Sequence, residues 1–145
     1  MKHSILRFLG LHRGNKPGGP RGSSGGASRE RTVLLVDLQP AGATFLENPV
    51  QQLGFRVHAV GTEAQALEAL SQGGVAAVVV TGPASVPFLR ALRCATSAPI
   101  LALDSQADDN RVLEAYDSGV DQFVARPISA QEVVARLTAL LRRSR

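Results

Sequence analysis

From Thr32 onward the chain alternates short runs of branched aliphatic residues with stretches of helical periodicity, and this alternation restricts the fold more than any other feature. The apolar runs fall at 33–36, 55–60, 76–80, 100–103 and 123–125. Three of them are apolar almost throughout, which is the pattern of a strand covered on both faces. The stretches between carry helix start signals. Thr62 and Gln65 form a capping box ahead of Ala66, Leu67 and Leu70, and Ser85 with Pro87 opens a segment containing Phe88, Leu89 and Leu92. Ser129 and Glu132 form a second box ahead of Val133, Val134, Leu137, Leu140 and Leu141. The result is an expected α/β fold, a doubly wound parallel sheet of five strands. The first helix, about 41–53, contains Pro49, which should kink or shorten it.

Ahead of this body the composition changes. Residues 14–31 are rich in Gly, Pro and Ser without apolar periodicity, so they offer nothing to offset the entropy of ordering and are expected to be a flexible linker. Residues 1–13 set Ile5, Leu6, Phe8, Leu9 and Leu11 between Lys2, Arg7 and Arg13, a short basic amphipathic pattern. Arg7 interrupts the apolar stretch that a secretory signal would need. At about two to three turns the segment would be marginal as an isolated helix, and it is expected to dock on a membrane surface or a partner groove. The domain plan is therefore 1–13 docking segment, 14–31 linker and 32–145 folded body.

Charge divides along the same boundary. Residues 1–31 hold seven Lys and Arg against Glu30, a net +6, and residues 32–145 hold nine Arg against eleven Asp and Glu, a net −2. The overall +4 thus belongs to the tail. A basic tail attracts nucleic acid, anionic lipid or an acidic protein surface, or simply aids solubility. This one offers no recognition motif and no aromatics suited to stacking on bases, so nucleic acid is not the expected partner. No apolar run approaches the roughly 18 residues of a membrane span, and one cysteine excludes an internal disulfide. A cytoplasmic location is expected, with residues 1–13 able to reach the inner membrane surface. Cys94 is expected to be a small core side chain of the third helix. His3, His12 and His58 have no metal-ligand spacing, no cofactor is expected, and Asp108, Asp109, Glu114 and Asp117 fit a solvated helical face. No Ser, His and Asp arrangement, glycine-rich phosphate loop or paired acid and base supports an enzyme.

In a doubly wound sheet, ligands sit beyond the carboxyl ends of the strands. The positions to weigh are 37–39, 80–83, 104–105 and 126–127. There the sequence VLLVDLQP at 33–40, APILAL at 98–103 and SGVDQFVARPISAQEVVARLTALLRR at 118–143 resemble the receiver domain of bacterial response regulators. The resemblance runs from about Thr32 to Arg143, and its last helix is most similar to the subclass that precedes a winged-helix DNA-binding domain. It implies a flavodoxin-like sheet of order 2-1-3-4-5. It also implies a phosphoacceptor Asp ending the third strand, an acidic pair after the first strand that helps hold Mg²⁺, a hydroxyl residue after the fourth, and a switch aromatic and a Lys–Pro joined by a cis peptide at the fifth.

Matched residue by residue, most of that pocket is altered. Asp37 keeps one acid and Leu38 replaces the other; the phosphoacceptor position falls on Val80 or Thr81, neither a carboxylate. The loop that follows is about three residues shorter than the family's usual one. Asp104 stands where a hydroxyl residue belongs, followed by Ser105, while Phe123 keeps the aromatic and Arg126–Pro127 replace Lys–Pro. Mg²⁺ needs oxygen ligands in near-octahedral order, and a threonine hydroxyl is a poor acceptor without a base. No metal site is therefore expected. Left without metal or phosphoryl group, Asp37 and Asp104 should seek a cation, and Arg126 is the expected one.

The resemblance also implies self-association through the fourth helix, fifth strand and fifth helix. Asp121 and Arg136 match one charged pair of that face, and Glu132 and Arg143 each match half of another. A weak homodimer is the consequence. The expected function is a pseudo-receiver that signals or scaffolds through protein partners without phosphorylation. The alternatives are a conventional phosphorelay receiver and a DNA-associated transcription regulator acting through the tail.

Overall fold

The computed structural model describes residues 32–39, 42–106 and 108–143. The expected docking segment 1–13 and the expected linker 14–31 lie outside the described residues, as does the expected start of the first helix at 41. The body is an alternation of five strands and five helices: β1 (Thr32–Asp37), α1 (Thr44–Gln52), β2 (Arg56–Val60), α2 (Glu63–Ser71), β3 (Val75–Thr81), α3 (Val86–Ala95), β4 (Ile100–Asp104), α4 (Asp109–Asp117), β5 (Gln122–Ala125) and α5 (Ala130–Arg143). All strand pairs are parallel, in the order β2-β1-β3-β4-β5. The sheet is the flavodoxin-like one that the resemblance implied.

Each helix starts where a side chain accepts from an otherwise unpaired amide. Thr62 accepts from the Gln65 amide at 3.1 Å, Ser85 from Phe88 at 3.2 Å, Asp108 from Arg111 at 2.9 Å and Ser129 from Glu132 at 3.1 Å. The return bond of the first box goes one residue further than expected, since Gln65 Oε1 accepts from the Gly61 amide. The exception is α1, which starts at Thr44 after Ala43 with no side-chain cap. It runs through Pro49 and ends at Gln52, shorter than the 41–53 span in the sequence pattern.

Two apolar layers flank the sheet. On one face Leu34, Val36, Val78 and Val80 meet Ala66, Phe88, Leu92 and Ala115 of α2, α3 and α4. On the other, Val33, Leu35, Val79 and Leu103 meet Leu46 and Val50 of α1 and Val133 and Leu137 of α5. Alternate residues of one strand thus feed opposite layers, which is why β1, β3 and β4 are apolar up to their polar end residues. Each fully buried Leu or Val contributes about 1.5–3 kcal/mol of transfer free energy, so these layers hold the strand ends that carry the polar residues.

Cys94 departs from expectation: it is exposed. Phe88, Leu89 and Leu92 define the buried face of α3, and at about 100° per residue Cys94 falls on the opposite side. His58 is buried on the edge strand β2, opposite Leu34, and desolvation lowers its pKa from 6.5 to about 4.

Candidate functional site

The parallel register brings Asp37 level with Thr81 and Asp104 level with Ala125 at one edge of the sheet. Val80 points into the apolar layer and is fully buried, whereas Thr81 turns its hydroxyl toward Asp37. The hydroxyl donates to Asp37 Oδ1 at 3.1 Å, and the Gly42 amide donates to the same oxygen at 3.0 Å. A Cβ on Gly42 would lie 3.0 Å from that oxygen and 3.2 Å from Thr81 Oγ1. The cluster is closed against even a methyl group on that side.

The two strand ends are also joined along their backbones. Leu38 donates its amide to the Thr81 carbonyl at 2.9 Å, and its side chain packs on the apolar layer shared with α2 and α3. Gly82 adopts φ +99°, and a Cβ there would lie 3.0 Å from the Gln39 amide nitrogen. Only glycine lets the chain leave β3 this close to the turn after β1.

At the end of β4, Asp104 is almost fully buried. Its Oδ2 carries an ion pair with the Arg111 guanidinium of α4, and its Oδ1 accepts from the Gln106 amide at 3.1 Å. Arg111 Nε also donates to the Gln106 carbonyl at 3.1 Å. One side chain therefore ties the strand end, the following loop and the first turn of α4 together. Arg111, Phe123 and Leu89 line the small recess beside it. Phe123 is half-buried, and its amide donates to the Tyr116 hydroxyl at 3.0 Å. Ser105 is exposed.

Arg126 does not fill the role the sequence suggested. Its guanidinium donates to the Gly42 carbonyl at 2.8 Å and lies 5.5 Å from the centre of the Phe45 ring. Among the described residues it forms no ion pair with Asp37 or Asp104. Asp37 is satisfied by two neutral donors, and the cation for Asp104 comes from α4. The Arg126–Pro127 peptide is cis, as the resemblance implied. Sequence reasoning missed Arg111, although its place three residues beyond the Asp108 cap puts it in the helix turn nearest the end of β4.

Mg²⁺, which the fold family implies, does not fit these groups. Among the described residues no three His, Cys, Asp or Glu side chains converge. Asp37 is one carboxylate with one oxygen already holding two donors, its neighbour Leu38 is apolar and packed, and Asp104 is neutralised by Arg111.

The expected association face is engaged within the chain. Asp121 Oδ2 accepts from Arg93 at 3.0 Å and from the Ile100 amide at 2.7 Å. Arg93 further donates to the carbonyls of Gly119, Thr96 and Ala98 at 2.7–3.0 Å, making it a second residue the sequence did not single out. Arg136 pairs with Glu132 along α5 at 2.9 Å, and Arg143 is exposed at the end of that helix.

No family model matches the chain. Over 116 residues it is 31% identical to the DNA-binding response regulator MtrA of Mycolicibacterium smegmatis, covering 77% of this chain and 51% of that protein. The chain spans about half the length of the curated relatives it matches. A two-component response regulator from Clostridium difficile superposes with a TM-score of 0.72 at 19% identity, over 78% of this chain and 97% of that one. An atypical orphan response regulator, reported to reveal a phosphorylation-independent regulatory mechanism, superposes with a TM-score of 0.69 at 20% identity, over 77% and 95%. The element order, the sheet order and the sequence likeness to MtrA together lead to one conclusion: the chain belongs to the response-regulator receiver-domain family.

Proposed function

We propose that this chain is a pseudo-receiver, a signalling or scaffolding module that acts through protein contacts and accepts no phosphoryl group. The observation that carries the reading is the Thr81 hydroxyl bonded to Asp37. Phosphoryl transfer in a receiver depends on a carboxylate acceptor and on charge stabilisation around the moving group. At this strand edge the group at the acceptor position is a neutral hydroxyl in place of a carboxylate, and the one carboxylate beside it shares a single oxygen between that hydroxyl and the Gly42 amide. The buried Asp104 adds negative charge neutralised by Arg111, so the pocket supports a fixed arrangement in place of a switch. The mechanism reported for the atypical orphan regulator agrees with such a mode of action.

A weak homodimer through α4, β5 and α5, if it forms, would draw little from its charged pairs. Asp121 and Arg136 would have to leave Arg93 and Glu132 to pair across a two-fold axis. Exposed ion pairs are worth only about 0–1 kcal/mol each, which is little return for breaking two. Residues 1–13 remain the segment suited to localise the module at a partner or at the inner membrane surface, in the cytoplasm.

A titration of the full chain with Mg²⁺ alone, followed by amide NMR shifts, tests the reading. Unchanged resonances at Asp37, Leu38 and Thr81 up to millimolar metal are expected. Saturable shifts confined to those residues would overturn it.

A further inference from the structure

The exposed large apolar side chains of the described body are Leu113 and Tyr116, and both lie on α4. They are three residues apart and so share a face. At about 100° per residue, Asp109, Leu113, Tyr116 and Asp117 form one outward stripe, while Ala115 and Arg111 turn inward. Leu113 is 61% exposed and Tyr116 44%, enough to leave an apolar centre uncovered. Around it Asp108, Asp109, Glu114 and Asp117 are exposed, and none of them belongs to an ion pair among the described residues. The one arginine of this helix is spent on Asp104. The face is therefore apolar at its centre and anionic at its rim.

A segment of this same chain has the opposite charge and matching apolar content. Residues 1–13 carry Lys2, Arg7 and Arg13 with Ile5, Leu6, Phe8, Leu9 and Leu11, and no acidic residue. We infer that residues 1–13 dock on the outward face of α4, covering Leu113 and Tyr116 and neutralising the carboxylates around them.

The topology allows the reach. Strands run parallel, so Thr32, where the body begins, lies at the same sheet edge as Gln122, where β5 begins. Asp117 ends α4 just before that point. β1 and β5 are three strand positions apart, roughly 15 Å at about 4.8 Å per strand. For the composition of residues 14–31, rich in Gly and Ser, chain statistics give a root-mean-square span of roughly 23 Å. Tethering also makes the contact intramolecular, with an effective concentration in the millimolar range, so a weak interface is well occupied. A second copy of the body fits the face less well, because it would bring two acidic rims together. The tail then acts as a built-in occupant that an outside partner must displace.

The test uses the full chain with Ser4→Cys in a Cys94→Ser background and a nitroxide on the new thiol. Cys94 is exposed, so its replacement leaves the core intact. The amides of Leu113, Tyr116 and Asp117 should lose most of their NMR intensity to paramagnetic broadening, independently of protein concentration. The intensity should return in Leu113→Glu and at molar salt. Three results would overturn the inference: no broadening on α4, broadening centred on another element, or broadening that grows with protein concentration and so reports a second copy. A tail whose signals vanish only on adding phosphatidylglycerol vesicles, with α4 unaffected throughout, would assign the segment to membrane and overturn it too.

Discussion

Arg111 on α4 neutralises Asp104 at the end of β4, a carboxylate that is only 3% exposed. This pair fixes the position of the helix whose outer face is the candidate docking surface. Removing one partner leaves the other charge buried, the costly way to break a buried pair. Arg111 is itself about a third exposed, which moderates the cost. Arg111→Ala should lower stability by about 1–3 kcal/mol, and Asp104→Ala added to it should restore part of the loss. Urea denaturation of the single and double variants measures this, and an additive cycle would contradict the pairing.

His58 gives the fold an acid sensitivity. Its folded pKa, near 4, lies below the unfolded value of 6.5, so below pH 6.5 the unfolded state takes up the proton first. The stability His58 allows at neutral pH is therefore lost as pH falls from 6.5 to about 4, on the order of 1–3 kcal/mol in total. Melting curves across that window should show a steeper decline for the wild type than for His58→Leu. Parallel declines would contradict the buried neutral imidazole.

The Asp37 cluster should report on packing and hydrogen bonding separately. Thr81→Val keeps the shape and removes the donor to Asp37, and should cost about 1 kcal/mol. Gly42→Ala places a methyl 2.9 Å from the Gln39 carbonyl oxygen and 3.0 Å from Asp37 Oδ1, and should cost more, about 1–3 kcal/mol. Chemical denaturation gives both values. The reverse ranking would mean the strand edge is looser than the distances imply.

Arg93 collects four acceptors at the opposite edge of the sheet, three of them carbonyls. Arg93→Ala should cost about 2–3 kcal/mol, while Arg90→Ala, at an exposed position of the same helix, should stay within about 0.5 kcal/mol. Comparable melting temperatures for the two variants would remove Arg93 from the account.

What the sequence made legible was what periodicity controls. The strands, the order of elements and the caps at Thr62, Ser85 and Ser129 follow from patterns within a few residues of each other. The altered pocket was legible too, because Leu38 and the missing third-strand carboxylate are identities rather than geometries. Which of Val80 and Thr81 faces Asp37 was not, since a one-residue shift reverses which face a strand side chain meets, and it takes the register to put Thr81 level with Asp37. The partner of Asp104 was misjudged for a related reason. Arg126 is closer in the family pattern, yet its guanidinium is held by the Gly42 carbonyl and Phe45, and the direction a long side chain takes depends on acceptors contributed by distant elements. Cys94 shows the limit of composition alone: a residue type that is usually buried sits on the wrong side of α3.

The altered strand edge predicts that this receiver-family body takes no phosphoryl group. Incubation of the full chain with acetyl phosphate and Mg²⁺, read by intact mass, tests it directly, with beryllofluoride and Mg²⁺ followed by amide NMR as the non-covalent counterpart. An unchanged mass and unchanged resonances at Asp37, Thr81 and Asp104 are predicted. A phosphoryl adduct on any residue of this strand edge, or saturable beryllofluoride shifts there that require Mg²⁺, would contradict it.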